Sequence, residues 1–124
     1  MNSPKPKRED GFDFEKFTVY QKSVELAKLI APMTLEPPKK TAKLCDHLDR
    51  AVDSILLNVP EGSGRAPRSK DRRHFHRIAL GSAKEAASAV IALDAKGLID
   101  PDLYTQARAL LLEIVRMLSK MARE

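Results

Sequence analysis

An all-α fold, four antiparallel helices in up-down-up-down order, is what this chain of 124 residues predicts. Three observations carry the expectation. No stretch alternates apolar and polar residues as a half-buried strand does. Four segments repeat apolar residues at three- and four-residue spacing. Short breaks rich in Pro and Gly separate these segments, which suits antiparallel neighbours joined by brief connections.

Residues 1–16 read as a flexible tail. Pro4 and Pro6 break helix, and the charges cancel. Phe12, Phe14 and Phe17 are too apolar for a purely solvated segment, so the end of the tail is expected to dock on the bundle, residues 17–124. Thr18 offers an N-cap hydroxyl for helix one. Val19, Tyr20, Val24, Leu26, Ala27, Ile30 and Ala31 give that helix its apolar face, and the run from Pro32 to Lys40 ends it. Helix two begins near Thr41 and carries Leu44, Leu48, Ala51, Val52, Ile55 and Val59. Proline removes an amide donor and glycine frees the backbone, so Pro60, Gly62 and Gly64 predict its end near Asn58–Glu61.

Helix three begins near Ser69, with Asp71 in a first turn where the helix dipole favours an acid. Phe75, Ala79, Ser82, Ala86, Ala89 and Leu93 form a 4-3-4-3-4 seam, and its small residues allow close helix approach. Gly97 before Leu98 is a stop signal, and Asp100-Pro101 is an N-cap followed by the favoured first-turn proline. Helix four repeats the seam with Leu103, Ala107, Leu110, Ile114, Met117 and Met121. A second stripe, Leu111, Val115 and Leu118, widens its apolar face. That stripe reads either as deep burial or as a second helix surface against a neighbouring subunit, and self-association is the favoured expectation.

Composition excludes several classes of function. Hydrophobic residues are 43% and charged residues 31%, a globular balance. Aromatic residues are 5% and Trp is absent, which leaves few platforms for base stacking. No apolar run approaches the roughly 20 residues of a membrane span. The N-terminal segment lacks a secretory apolar core, so a reducing cytoplasm is the expected location. Cys45 is the only cysteine, which excludes an internal disulfide and a Cys-rich zinc site.

Catalytic constellations are weak. His47 stands between Asp46 and Asp49, but adjacent helical residues point about 100° apart and do not face one another. His74 and His76 are nearly opposite on a helix and do not form an i, i+4 metal pair. Cys45 reads as a small buried hydrophobe. The Gly62-Ser63-Gly64-Arg65 loop follows a helix and lacks the Lys-Ser/Thr pair of a nucleotide-binding loop. No enzyme activity, cofactor or metal is expected.

The basic cluster is the strongest chemical signal. Arg65, Arg68, Lys70, Arg72, Arg73 and Arg77 lie within 13 residues, with Asp71 the only acid among them. The remaining 111 residues balance 16 cations against 16 acids, so the whole net charge of +5 sits in this corner. Arginine suits bidentate phosphate contacts, and a helix N-terminus adds free amide donors. If all six cations met phosphates, log K against log salt would fall with a slope of about −5 per protomer. A solvated, partly paired charged surface and an acidic protein partner are the rival readings. Arg73 and Arg77 share a helix face, whereas Arg72 points aside. A second, polar stripe on helix two joins Arg50, Ser54, Asn58 and Glu61. It reads as exposed surface, as a hydrogen-bond network, or as end-capping.

Several strings resemble the 23S rRNA intervening-sequence protein family. They are Arg50-Ala51, Ser54-Ile55, Asn58-Val59-Pro60-Glu61-Gly62 and Gly64-Arg65. Phe14, Phe17 and Val19-Tyr20-Gln21 match the start of helix one. Phe75, Ile78-Ala79, Gly81-Ser82 and Glu85 match helix three, and Leu93 with Gly97-Leu98-Ile99 matches the turn before helix four. The resemblance spans about residues 14–120. It implies an antiparallel four-helix bundle from bacteria that assembles as a homo-oligomer, a pentamer in the family's pattern. It supplies no catalytic residues. A distant relative, the accessory variability protein of diversity-generating retroelements, is a basic pentamer that binds a reverse transcriptase and nucleic acid. The resemblance therefore implies RNA or DNA as partner, or a larger enzyme such as a reverse transcriptase. Pro60 stands where the family usually has Ala, and Leu56 and Leu57 where smaller or polar residues are common. A reshaped end of helix two is expected from these departures.

Overall fold

The structure, a computed structural model, describes residues 11–124. Four helices account for nearly all of it: α1 (Thr18–Thr34), α2 (Ala42–Ser63), α3 (Lys70–Ala95) and α4 (Pro101–Met121). Among the described residues there is no strand. A 3-10 turn, Asp13–Lys16, precedes α1 and packs on α1 and α2. The tail expected over 1–16 thus lies partly outside the described residues, and its last part is ordered. Phe14 and Phe17 are half-buried there, and Phe14 meets Tyr20 edge-to-face at 4.9 Å. Phe12 stacks on Phe14 but stays 69% exposed.

Three of the helix ends are written locally. Ser69 Oγ accepts from the Arg72 amide at 3.1 Å and starts α3. Asp100 accepts from the amides of Asp102 and Leu103 and starts α4. Gly97 takes the left-handed conformation, φ 67°, which directs the Leu98 amide back to the Leu93 carbonyl at 2.8 Å and stops α3. α1 differs from expectation. Its N-cap is Phe17 with no side-chain cap, and it runs through Pro32 to Thr34.

The end of α2 is a larger correction. The helix continues through Pro60 to Ser63 instead of ending near Asn58–Glu61. Proline removes one amide, the donor to the carbonyl four residues earlier, but its fixed φ is helical. The Pro60 carbonyl still accepts from the Gly64 amide at 3.0 Å. The extra turn is then held sideways by α3, as described below.

Each helix packs on two others: α1 on α2 and α4, and α3 on α2 and α4. The core lies on the lines where these faces meet. α1 contributes Val19, Leu26 and Ile30, and α2 contributes Cys45, Leu48, Val52, Ile55 and Val59. α3 contributes mostly alanine: Ala79, Ala83, Ala86 and Ala89, with Val90 and Leu93. Those small side chains bring α3 close to α2, the most extensive interface of the four. Two seams on α3 meet the core, the expected one from Ala79 to Leu93 and a second at seven-residue spacing, His76, Ala83 and Val90. Phe75, expected in the seam, is only half-buried, and His76 occupies the core position beside it.

Helix α4 brings the other correction. Leu111 and Leu118 are 2% and 0% exposed and belong to the core of their own chain. The face of α4 is centred between its two stripes, so both leucines turn inward with Ala107, Leu110 and Ile114. Leu118 is fully enclosed and offers no association surface, whereas Leu111, though nearly enclosed, still lines the groove between α3 and α4. Val115 is half-buried, and beside it Leu112 on α4 and Ile91 on α3 stay exposed.

Candidate functional site

The loop of residues 64–69 carries the α2 end into the first turn of α3, so the six cations of the cluster gather at one end of the molecule. Their environments differ. Arg65 lies 4.9 Å from the Phe75 ring centroid and 3.3 Å from Glu61 Oε2. Arg72 Nη1 donates to the Arg65 carbonyl at 3.3 Å, and Arg73 Nη1 donates to the Arg68 carbonyl at 2.8 Å. Arg68, Lys70 and Arg77 are exposed. Among the described residues, Arg65 is the only cluster member in an ion pair.

The backbone under this loop is under tension. Arg68 has φ 61°, the one non-glycine residue at positive φ among those described. The left-handed region costs an ordinary L-residue about 1–2 kcal/mol. The compensation is visible: the Arg68 carbonyl holds the Arg73 guanidinium, and Ser69 then caps α3.

Gly62 locks the same corner. A Cβ there would stand 2.6 Å from His76 Cδ2, 2.7 Å from His76 Nε2 and 3.1 Å from Phe75 Cβ. The last turn of α2 therefore rests directly on α3 through a glycine. His76 is buried, and neither ring nitrogen has a hydrogen-bond partner among the described residues. Burial first, and the Arg72 charge second, hold its pKa below the ordinary imidazole value, while the Met121 backbone acts weakly the other way. The ring is accordingly neutral at pH 7. Apolar periodicity does not reveal His76, because a polar residue breaks the pattern. The seven-residue step to Ala83 and Val90 is the signal that would.

The polar stripe of α2 divides. Arg50 pairs with Asp46 at 3.1 Å and stays exposed. Asn58 Nδ2 donates to the Ser54 carbonyl and to Ser54 Oγ, at 2.8 and 3.2 Å, so it does not cap the helix. Ser82 Oγ donates to Ser54 Oγ at 2.7 Å, which carries the network across to α3. Glu61 belongs to the basic corner through Arg65. Glu85 sits 3.7 Å from His47 Nδ1, farther along the same interface. Gly64 is the C-cap of α2. Cys45 is buried, and no group of three or more His, Cys, Asp or Glu converges as metal ligands among the described residues.

The class defined by these features is an all-helical, four-helix protein with a basic corner. The particular family follows from comparison: the 23S rRNA-intervening sequence protein family model matches residues 15–120, and the chain belongs to that family. A solved structure from Bacteroides thetaiotaomicron VPI-5482, described as a protein with unknown function from the S23 ribosomal protein family, is similar in fold. Its TM-score is 0.69 at 22% identity, covering 86% of this chain and all of that one. No curated protein matches the chain. No helix among the described residues is long and apolar enough to cross a membrane.

Proposed function

We propose that this protein is a non-enzymatic, cytoplasmic, oligomeric helical bundle that binds the RNA or DNA backbone through Arg65, Arg68, Lys70, Arg72, Arg73 and Arg77. The observation that carries the reading is the state of those cations. Arg72 and Arg73 are oriented by carbonyls, which do not neutralise them, and Arg68, Lys70 and Arg77 are exposed without an ion pair among the described residues. Phosphates are the partners such a surface fits best. Readout of base sequence is not part of the proposal, because the corner holds no Asn or Gln and one half-buried Phe.

The up-down-up-down arrangement is supported by three cross-contacts: His47 with Glu85, Ser54 with Ser82, and Gly62 with His76. Numbers rise along α2 as they fall along α3, as in an antiparallel pair. Assembly into a ring, a pentamer in the family's pattern, is supported by the apolar surface left outside. Ile91 and Leu112, 46% and 45% exposed, flank an apolar groove between α3 and α4 with Val115. Repetition of one basic corner around a ring raises avidity without new contacts.

Changing Arg68, Lys70 and Arg77 to Ser together tests the reading. Binding to a mixed-sequence RNA at low salt should weaken, and the salt slope should shrink by about 3, one unit per lost phosphate contact. Unchanged affinity and slope would sink it. A second reading, an accessory subunit docking on a larger enzyme such as a reverse transcriptase, has its own observation. Phe12 and Leu57, both 69% exposed, leave apolar surface beside the 3-10 turn. Deleting residues 1–16 would then abolish partner capture and leave the oligomer intact.

A further inference from the structure

We infer that the end of the molecule holds a binding cleft for a phosphorylated small molecule with an apolar body, beside the exposed basic corner and sharing Arg72 with it. The cleft has a volume of about 450 Å³, within the size range of small-molecule sites. Three cations line it from three separate elements: Lys16 from the 3-10 turn, Arg72 from α3 and Lys120 from α4. Arg72 is the cluster member that the helix period turns away from Arg73 and Arg77. It contributes to this cleft by that same rotation.

The floor adds neutral donors. Thr18 and Val19, the first residues of α1, also line the cleft. Among the described residues that helix has no side-chain cap and no acid in its first turn, so its leading amides are donors without a capping side chain. Ser63, at the end of α2, lines the same space. Its Oγ is shielded from solvent and has no hydrogen-bond partner among the described residues. A bound oxygen would give this hydroxyl the partner it lacks. A phosphate group brings oxygens that can accept from all of these donors at once.

The remaining wall is apolar. Phe17, Met117 and Met121 supply it, and among the described residues the one acid on the lining is Glu124. Three cations against one carboxylate favour an anion, and the Phe and Met wall suits an apolar or aromatic body attached to it.

Titration of the full chain with adenosine monophosphate, adenosine and inorganic phosphate, followed by amide NMR, tests the cleft. Adenosine monophosphate should shift the amides of residues 16–20 and 120 saturably, and adenosine should bind at least about tenfold more weakly. Lys16→Ala and Lys120→Ala should each weaken the nucleotide by about tenfold, the scale of a lost hydrogen bond to a charged group. Arg68→Ser and Arg77→Ser should leave it unchanged, which separates this cleft from the proposed nucleic-acid surface. An RNA decamer with a 5′-phosphate that binds here more tightly than the mononucleotide would assign the phosphate to an RNA end. The reverse order would assign it to a free small molecule. Equal binding of adenosine, shifts confined to residues 65–77, or indifference to both lysine variants would overturn the inference.

Discussion

Gly62→Ala should destabilise this protein, although alanine is the better helix former. Adding a Cβ at residue 62 puts carbon 2.6 Å from His76 Cδ2, where ordinary contact is about 3.5–4.0 Å. The neighbour is a buried ring edge with the Phe75 Cβ 3.1 Å away on another side, so neither can swing into solvent. Overpacking of this kind costs about 1–3 kcal/mol. The propensity gain is at most about 1 kcal/mol and is smaller in a final helical turn. The net loss is about 1–2 kcal/mol. Gly81 is the control, because it lies inside α3 with nothing within 4 Å of an added Cβ. Gly81→Ala should therefore stabilise by about 1 kcal/mol. Urea unfolding followed by helical circular dichroism at one fixed protein concentration reads both changes as opposite shifts of the midpoint. A double-mutant cycle of Gly62→Ala with His76→Ala should be non-additive by about 1 kcal/mol, the smaller residue making room for the methyl. Equal stability of the Gly62→Ala and Gly81→Ala variants would refute the contact.

His76 should make stability depend on pH. Its pKa is depressed in the folded state, so the unfolded chain binds the proton first as pH falls. Stability is complete above about pH 7 and declines as pH drops through the ordinary imidazole value near about 6.5 toward the folded one. Midpoints at pH 7.5 and 5.5 should converge in His76→Leu relative to the native chain, and an undiminished difference would remove His76 as the cause. Arg68→Gly relieves the left-handed strain, so stability should hold or rise by up to about 1 kcal/mol while polyanion affinity falls. A large loss of stability would show that the Arg68 side chain itself holds the loop. Leu118→Ala should cost about 2–5 kcal/mol as a core truncation, in monomer and oligomer alike. A variant of native stability that merely dissociates would return Leu118 to an interface. Ser82→Ala should cost about 1 kcal/mol by breaking the bridge to Ser54, read by the same midpoint.

The fold was legible because its punctuation is local. Ser69, Gly97 and Asp100-Pro101 act through their own backbones, and the structure places helix ends where these residues stand. Seams of small residues at heptad spacing were legible for the same reason. Pro60 misleads, because a proline near a helix end costs one hydrogen bond and some crowding of the carbonyl four residues back, and lateral packing decides whether the chain continues. Leu111 and Leu118 mislead in a related way. Periodicity reports the width of an apolar face, but the position of neighbouring helices determines which part of it is covered. The site was half legible. Six cations in 13 residues are plain in the sequence, but their division is not. The Arg65–Glu61 pair is local, but that Arg72 lines a cleft with Lys16 and Lys120 depends on elements far apart in the chain.

Tethering cations to carbonyls has a consequence for any anionic partner. An arginine neutralised by a carboxylate must break that pair to meet a phosphate, and the exchange gains little. Arg72 and Arg73 are held instead by the carbonyls of Arg65 and Arg68, so they are oriented without being neutralised. Part of the side-chain entropy that a long arginine loses on binding, up to about 2 kcal/mol, is already lost in the free protein. The loop strain at Arg68 belongs to the same device, because the left-handed turn aims the carbonyl that holds Arg73. Arg73→Lys keeps the charge and loses the planar fork that spans carbonyl and phosphate. It should therefore weaken polyanion binding several-fold while leaving the salt slope unchanged, whereas Arg73→Ser should lower both. Equal affinity for the lysine variant and the native chain would mean that the corner acts by net charge alone.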